Sequence, residues 1–135
     1  ITPFHFHWLK TEDIINRGGG KLAVQVYNAT PDEGLADTDV VVNTDGWVRT
    51  VAAGSVIVLS PGESITLLPY CYHSFWGLEE TVLVGEVSTV NDDNTDNRFY
   101  EPVGRFPQIE EDEPPLHLLT IDYASWYRPG VADSR

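Results

Sequence analysis

The chain is 135 residues long, enough to bury one core and too short for two comfortable domains, so a single domain over residues 1–135 is expected. It carries 21 acidic against 8 basic residues, a formal charge of -13, which excludes a sequence-independent attraction to phosphate backbones and disfavours nucleic acid and anionic membrane as partners. A lone cysteine, Cys71, cannot close an internal disulfide, and no apolar stretch approaches the roughly 20 residues of a membrane helix, so a cytoplasmic chain is expected.

The first informative stretch is His5-Phe6-His7-Trp8-Leu9-Lys10-Thr11-Glu12. On an extended strand, side chains alternate, so His5 and His7 lean to one face and Phe6 and Trp8 to the other. Two imidazoles thus converge on one point, and Glu12 reaches the same point if the strand turns or bulges. Imidazole with carboxylate suits a borderline divalent ion such as Mn, Fe, Zn or Ni better than Ca or Mg, which prefer oxygen shells. The ordinary alternative is a pair of surface or hydrogen-bonded core histidines.

Asn16-Arg17-Gly18-Gly19-Gly20 predicts a tight turn, since glycine tolerates positive φ. Lys21 to Asn28 alternates as a strand with one buried face, and Ala29 to Thr38 reads as a loop. Asp39-Val40-Val41-Val42-Asn43 and Trp47-Val48-Arg49-Thr50-Val51 flank an Asp45-Gly46 turn, a strong hairpin signal. Ser55 to Leu59 and Ser64 to Leu68 predict two more strands around Pro61-Gly62, and His73 follows. Thr81 to Val90 reads as an apolar strand interrupted by Glu86, a carboxylate expected to face a cavity because burying it alone is costly. Asn91 to Asn97 is polar, and the proline-rich region beyond it carries Phe99, Tyr100 and Phe106, which argue for an ordered flap or, failing that, a dimer-contact arm. Only Asp122 to Tyr127 offers a short helix. Many short strands with turns between them predict an all-β barrel or jelly roll with little helix.

His5-Phe6-His7, Glu12 and Gly19 reproduce the first signature motif of the cupin family, and His73, after the turn-rich Pro61 to Pro69 segment, stands where the second motif supplies its histidine. The second motif departs in detail: Cys71 stands where glycine is usual and Gly77 replaces an asparagine. The resemblance goes further. Lys10, Glu12-Asp13-Ile14, Asn16 to Gly20, His73-Ser74-Phe75-Trp76, Gly85-Glu86-Val87-Ser88, Val90 to Asn97, Gly104-Arg105-Phe106-Pro107 and the acidic run from Ile109 to Glu113 together resemble the D-lyxose ketol-isomerase family. That resemblance implies a cupin jelly-roll barrel (a double-stranded β-helix) with a long loop over its mouth. It implies a manganese-dependent aldose-ketose isomerase acting on D-lyxose and D-xylulose and, less strictly, on D-mannose and D-fructose.

Carried over by motif, the metal ligands are His5, His7, Glu12 and His73, and the catalytic lysine is Lys10. A catalytic glutamate is placed on Glu101, with Glu86 and Glu110 as alternatives, and Glu86, Asp93 and Arg98 are candidate sugar contacts. A nearby metal charge favours neutral Lys10, which a base needs, although the offset of Lys10 from His7 puts it on the wrong face of an ideal strand. A sugar is the expected partner, and a homodimer is expected by analogy with cupins. Members of the family carry a substantial N-terminal segment, and the chain starts at Ile1 rather than methionine, so a preceding segment is expected. The rival readings are an Fe(II) cupin dioxygenase and a non-catalytic sugar-binding cupin.

Overall fold

Alternating apolar residues build eight strands among the residues that the computed structural model describes: 1–89, 92, 94–103 and 112–127. These are β1 (His5–Phe6), β2 (Glu12–Asn28), β3 (Val40–Thr44), β4 (Trp47–Val51), β5 (Val56–Leu59), β6 (Ser64–Leu67), β7 (Cys71–Ser88) and β8 (Arg98–Phe99). The chain divides into two units, Ile1–Val103 and Gly104–Arg135. In the second, a 3-10 turn at Thr120–Asp122 leads into the short helix α1 (Tyr123–Trp126), where the sequence offered its one helix. No helix among the described residues is long and apolar enough to cross a membrane.

The first unit is organised on β2 and β7, which pair antiparallel from Glu12↔Ser88 to Asn28↔Cys71. The other edge of β2 is shared, by β6 along Glu12–Ile15 and by β5 along Leu22–Gln25. The strand order is β4-β3-β6-β2-β7-β1-β8, with β5 on β2, and the sheet curls into an antiparallel half-barrel of the expected all-β, cupin-like kind. Its inward positions, Ile14, Leu22, Val24, Val26, Val40, Val42, Ile57, Leu59, Ile65 and Leu67, form one apolar core. The β3–β4 hairpin turns at Asp45 (φ 51) and Gly46 (φ 83), the two positive-φ positions of a type I′ turn.

The predicted turn at Asn16 to Gly20 is instead the middle of β2, and β7 begins ten residues before Thr81, at Cys71. The glycines serve two register shifts, at Asn16/Gly18 and Gly19/Lys21. Buried Asn16 braces this irregularity: its amide donates to the carbonyls of Gly20 (2.9 Å) and Leu59 (3.0 Å) and accepts from the Gly18 N–H (3.0 Å). Gly19 has φ 93, and a Cβ there would lie 2.1 Å from the Thr81 carbonyl oxygen. Gly19→Ala is therefore expected to lower stability by at least about 1–3 kcal/mol from backbone strain alone, with the clash added, as measured by denaturant unfolding.

Candidate metal centre

Three strands meet where the conspicuous histidines lie. His5 on β1 is registered opposite His73 on β7, and His73 is opposite Val26 on β2. Glu12 is the first residue of β2, and His7 follows β1 directly. All four are buried, and one ligand atom from each lies within 4.8 Å of the others.

Main-chain carbonyls fix the imidazoles. Nδ1 of His5 donates to the Pro3 carbonyl (2.8 Å), Nδ1 of His7 to that of Asp96 (2.6 Å) and Nδ1 of His73 to that of Cys71 (3.0 Å). A carbonyl can only accept, so each Nδ1 carries a proton, and Nε2 is the ring atom left to face the cluster and, in the neutral ring, to offer a lone pair. Nε2 of His73 and of His7 stand 2.8 and 3.4 Å from Oε1 of Glu12, and all three atoms are buried without a hydrogen-bond partner. Buried ligand atoms that converge on one point without hydrogen-bond partners are what a bound cation satisfies, so the residues fit a divalent metal. Burial, followed by the neighbouring His73, pushes His5 down to about 3, which keeps its ring neutral. Burial opposes ionisation of Glu12, but its contacts with His7 and His73, and then with Lys10, outweigh that and hold the carboxyl below the ordinary range.

Lys10 lies beside this cluster. Its Nζ is 2.8 Å from Oε2 of Glu12 and 2.9 Å from Oε1 of Glu86, with only 4% of the side chain exposed. The chain leaves β1 and turns at Trp8 and Leu9, which reverses the alternation that placed Lys10 on the wrong face. Burial lowers the Lys10 pKa, but the hydrogen bonds to Glu12 and Glu86 more than offset this and raise it above its ordinary value. The protein's own groups therefore hold Lys10 protonated, and the charge-driven neutrality expected from sequence has two carboxylates acting against it.

Glu86 is registered opposite core residue Ile14 on β2, its side chain is 44% exposed, and its partner is Lys10. Arg98 on β8 is paired: its Nε donates to Oε2 of Glu33 at 2.7 Å, and Nη1 meets the Phe99 carbonyl. Glu101 is exposed, two residues beyond β8, whose Phe99 is registered against His5. Asp93 and Glu110 lie outside the described residues, as does Phe106. Of the loop aromatics, Phe99 has its ring centroid 5.5 Å from that of His5, and Tyr100 5.8 Å from that of Tyr72.

Two residues at the site were not singled out from the sequence. Glu33, at φ 63 in the Ala29–Thr38 loop, accepts from Trp8 Nε1 (3.0 Å) and from Arg98, and its carbonyl accepts from the Tyr72 hydroxyl (2.7 Å). Asp96, one acid in a polar run, is buried under the Trp8–Lys10 turn. Cys71 is buried as expected, and burial pushes its thiol up to about 12.

The sequence profile of the D-lyxose isomerase family matches residues 1–123. The chain is 62% identical over 125 residues to a D-lyxose/D-mannose isomerase of Serratia proteamaculans, and 54% identical over 126 residues to one of Escherichia coli O157:H7. Each alignment covers 91% of this chain and 55% of the relative, so the chain spans about half the length of the curated relatives it matches.

Proposed function

This chain belongs to the D-lyxose isomerase family, and on that premise we propose that it carries the catalytic centre of a manganese-dependent isomerase interconverting D-lyxose with D-xylulose and D-mannose with D-fructose. The observation that supports this best is the convergence of His5, His7, Glu12 and His73 beside a buried, doubly paired Lys10. Held by those four residues, a divalent ion would supply Lewis-acid polarisation of the sugar carbonyl and stabilise the charge that develops on its oxygens.

Isomerisation of an aldose moves one proton from C2 to C1 while the C1 carbonyl becomes a hydroxyl and the C2 hydroxyl becomes a carbonyl. In this proposal a carboxylate takes the proton from C2 and returns it to C1. Lys10, protonated between Glu12 and Glu86, gives a proton to O1 as the enediol forms and recovers one from O2 as the enediol collapses. Glu101 is assigned to the carbon-bound proton by family resemblance. Glu86 competes for that role through its 2.9 Å contact with Lys10. Replacing each by glutamine separates them, because the base is the residue whose loss abolishes turnover. Arg98, Glu86 and Asp93 complete the proposal as contacts for sugar hydroxyls. A homodimer is supported by exposed Val41, Trp47 and Val48 on β3 and β4, and a cytoplasmic setting by the free, buried Cys71.

The test is D-xylulose formation from D-lyxose by metal-stripped protein, with and without added Mn²⁺. Turnover that disappears with the metal and returns with manganese is the expected result. Folded, manganese-loaded chain without turnover would sink the proposal that this chain is sufficient for the reaction.

A further inference from the structure

An undisturbed strand from His5 would set odd-numbered residues on one face and even-numbered ones on the other, with Lys10 opposite His5 and His7. The observed chain shifts that phase by one residue: Leu9 is 82% exposed, while Lys10 is 4% exposed and faces Glu12. The backbone N–H groups of the shifted turn are gathered by one side chain from a distant part of the sequence. Oδ1 of Asp96 accepts the Trp8 N–H at 2.7 Å and the Leu9 N–H at 3.0 Å, and Oδ2 accepts the Lys10 N–H at 2.9 Å. The main-chain carbonyl of the same residue takes the Nδ1–H of His7 at 2.6 Å. Four consecutive residues, His7 to Lys10, are therefore gripped by one residue that is itself 6% exposed.

Asp96 is held in turn. Its N–H donates to the Asp92 carbonyl at 2.9 Å, and the Asp92 carboxylate accepts from the N–H groups of Asn94 and Thr95 and from the Thr95 hydroxyl. Three backbone donors converging on a carboxylate give charge-assisted bonds and the concave anion nest that offsets its burial. Leu9, the central residue of the turn, is exposed and adds no apolar restraint, while Trp8 packs edge-on against Phe6.

We infer that Asp96 is a positioning residue that sets both the ring orientation of His7 and the delivery of Lys10 to the centre. The inference rests on the reading of His7 and Lys10 as site residues, and it concerns no contact between Asp96 and the sugar. Asp96→Asn keeps the volume and one acceptor oxygen but sets an amide –NH₂ against a backbone N–H.

The experiment compares the full chain with Asp96→Asn by Mn²⁺ titration and by amide hydrogen exchange at Lys10, at a temperature where both are folded. Asp96→Asn keeps the main-chain carbonyl that His7 uses, so manganese affinity is expected to weaken, by up to about tenfold, through the shift of that carbonyl as the turn loosens, with faster exchange at the Lys10 amide. In turnover, kcat is expected to fall while KM changes little. A folded variant with affinity within about twofold of the parent and unaltered Lys10 exchange overturns the inference, because the turn would then hold His7 and Lys10 in place without the carboxylate. A purely structural role would lower the melting temperature and leave the affinity of the folded protein unmoved. Should Asp96→Asn not fold, Asp92→Ala, an exposed change that removes only the bracing of the turn, is judged on the same two readouts. A parent chain without turnover overturns the proposed function, while affinity and exchange still decide the role of Asp96.

Discussion

Glu12→Leu is expected to abolish metal binding and to destabilise even the metal-free protein by about 3 kcal/mol, toward the lower end of what breaking a buried ion pair costs. Glu12 and Lys10 are both nearly inaccessible, and Nζ of Lys10 is 2.8 Å from Oε2 of Glu12. Leucine fills the space but leaves the ammonium with Glu86 alone, whose side chain is 44% exposed and so partly screened. Urea unfolding of the metal-free proteins at neutral pH measures the loss. Glu12→Gln serves as the control, since its amide oxygen still accepts from Lys10 and the stability loss should be smaller. Metal affinity should collapse in both, because a neutral amide supplies no charge. Lys10→Met added to Glu12→Leu should recover part of the lost stability, the mark of a pair rather than of two separate contacts. The pH dependence has a definite sign. The folded-state pKa of Glu12 lies below its unfolded value, so its contribution is present above the unfolded carboxylate pKa of about 4.3 and is lost as pH falls further. The gap between parent and Glu12→Leu should therefore persist at pH 7 and close in acid.

The features legible in the sequence were those set by near neighbours. The hairpin at Asp45-Gly46 is encoded by the turn residues themselves and appears where they place it, as do the short strands β5 and β6, whereas β2 and β7 run well beyond the segments that alternation marks. The four residues of the centre were legible because motif spacing carries them, with His5 and His7 two apart on one face. The Gly18-Gly19-Gly20 stretch misled because the feature that keeps it in a strand lies elsewhere. Asn16 ties it to Leu59, and the close approach of Thr81 excludes a side chain at Gly19. Nothing local distinguishes such a bulged glycine run from a turn. The orientation of Lys10 was illegible for the same reason: its backbone is anchored by Asp96, 86 residues along the chain. Glu33 is anchored likewise across 25 residues to Trp8 and 65 to Arg98. Side chains that converge only through tertiary contact leave no periodic trace.

Under the proposed function, Lys10→Met is expected to lower kcat by about 10²- to 10⁴-fold, the usual scale for loss of a general acid-base group, while leaving the metal bound. Lys10 is not one of the four converging ligands, and removing a cation from beside them weakens an electrostatic opponent of the metal. Manganese affinity should therefore stay level or tighten. Initial rates over a range of D-lyxose concentrations, with a metal titration on the same sample, separate the two effects. Lys10→Arg then divides charge from proton transfer. The guanidinium keeps the positive charge that Glu12 and Glu86 face, yet it does not release a proton in the working pH range. If Lys10 acts only as a fixed charge, arginine should restore most of the rate. If it gives a proton to O1 and recovers one from O2, arginine should remain nearly as slow as methionine. Full activity in Lys10→Met would remove the lysine from the chemistry and leave the two carboxylates, Glu86 and Glu101, to carry both proton transfers.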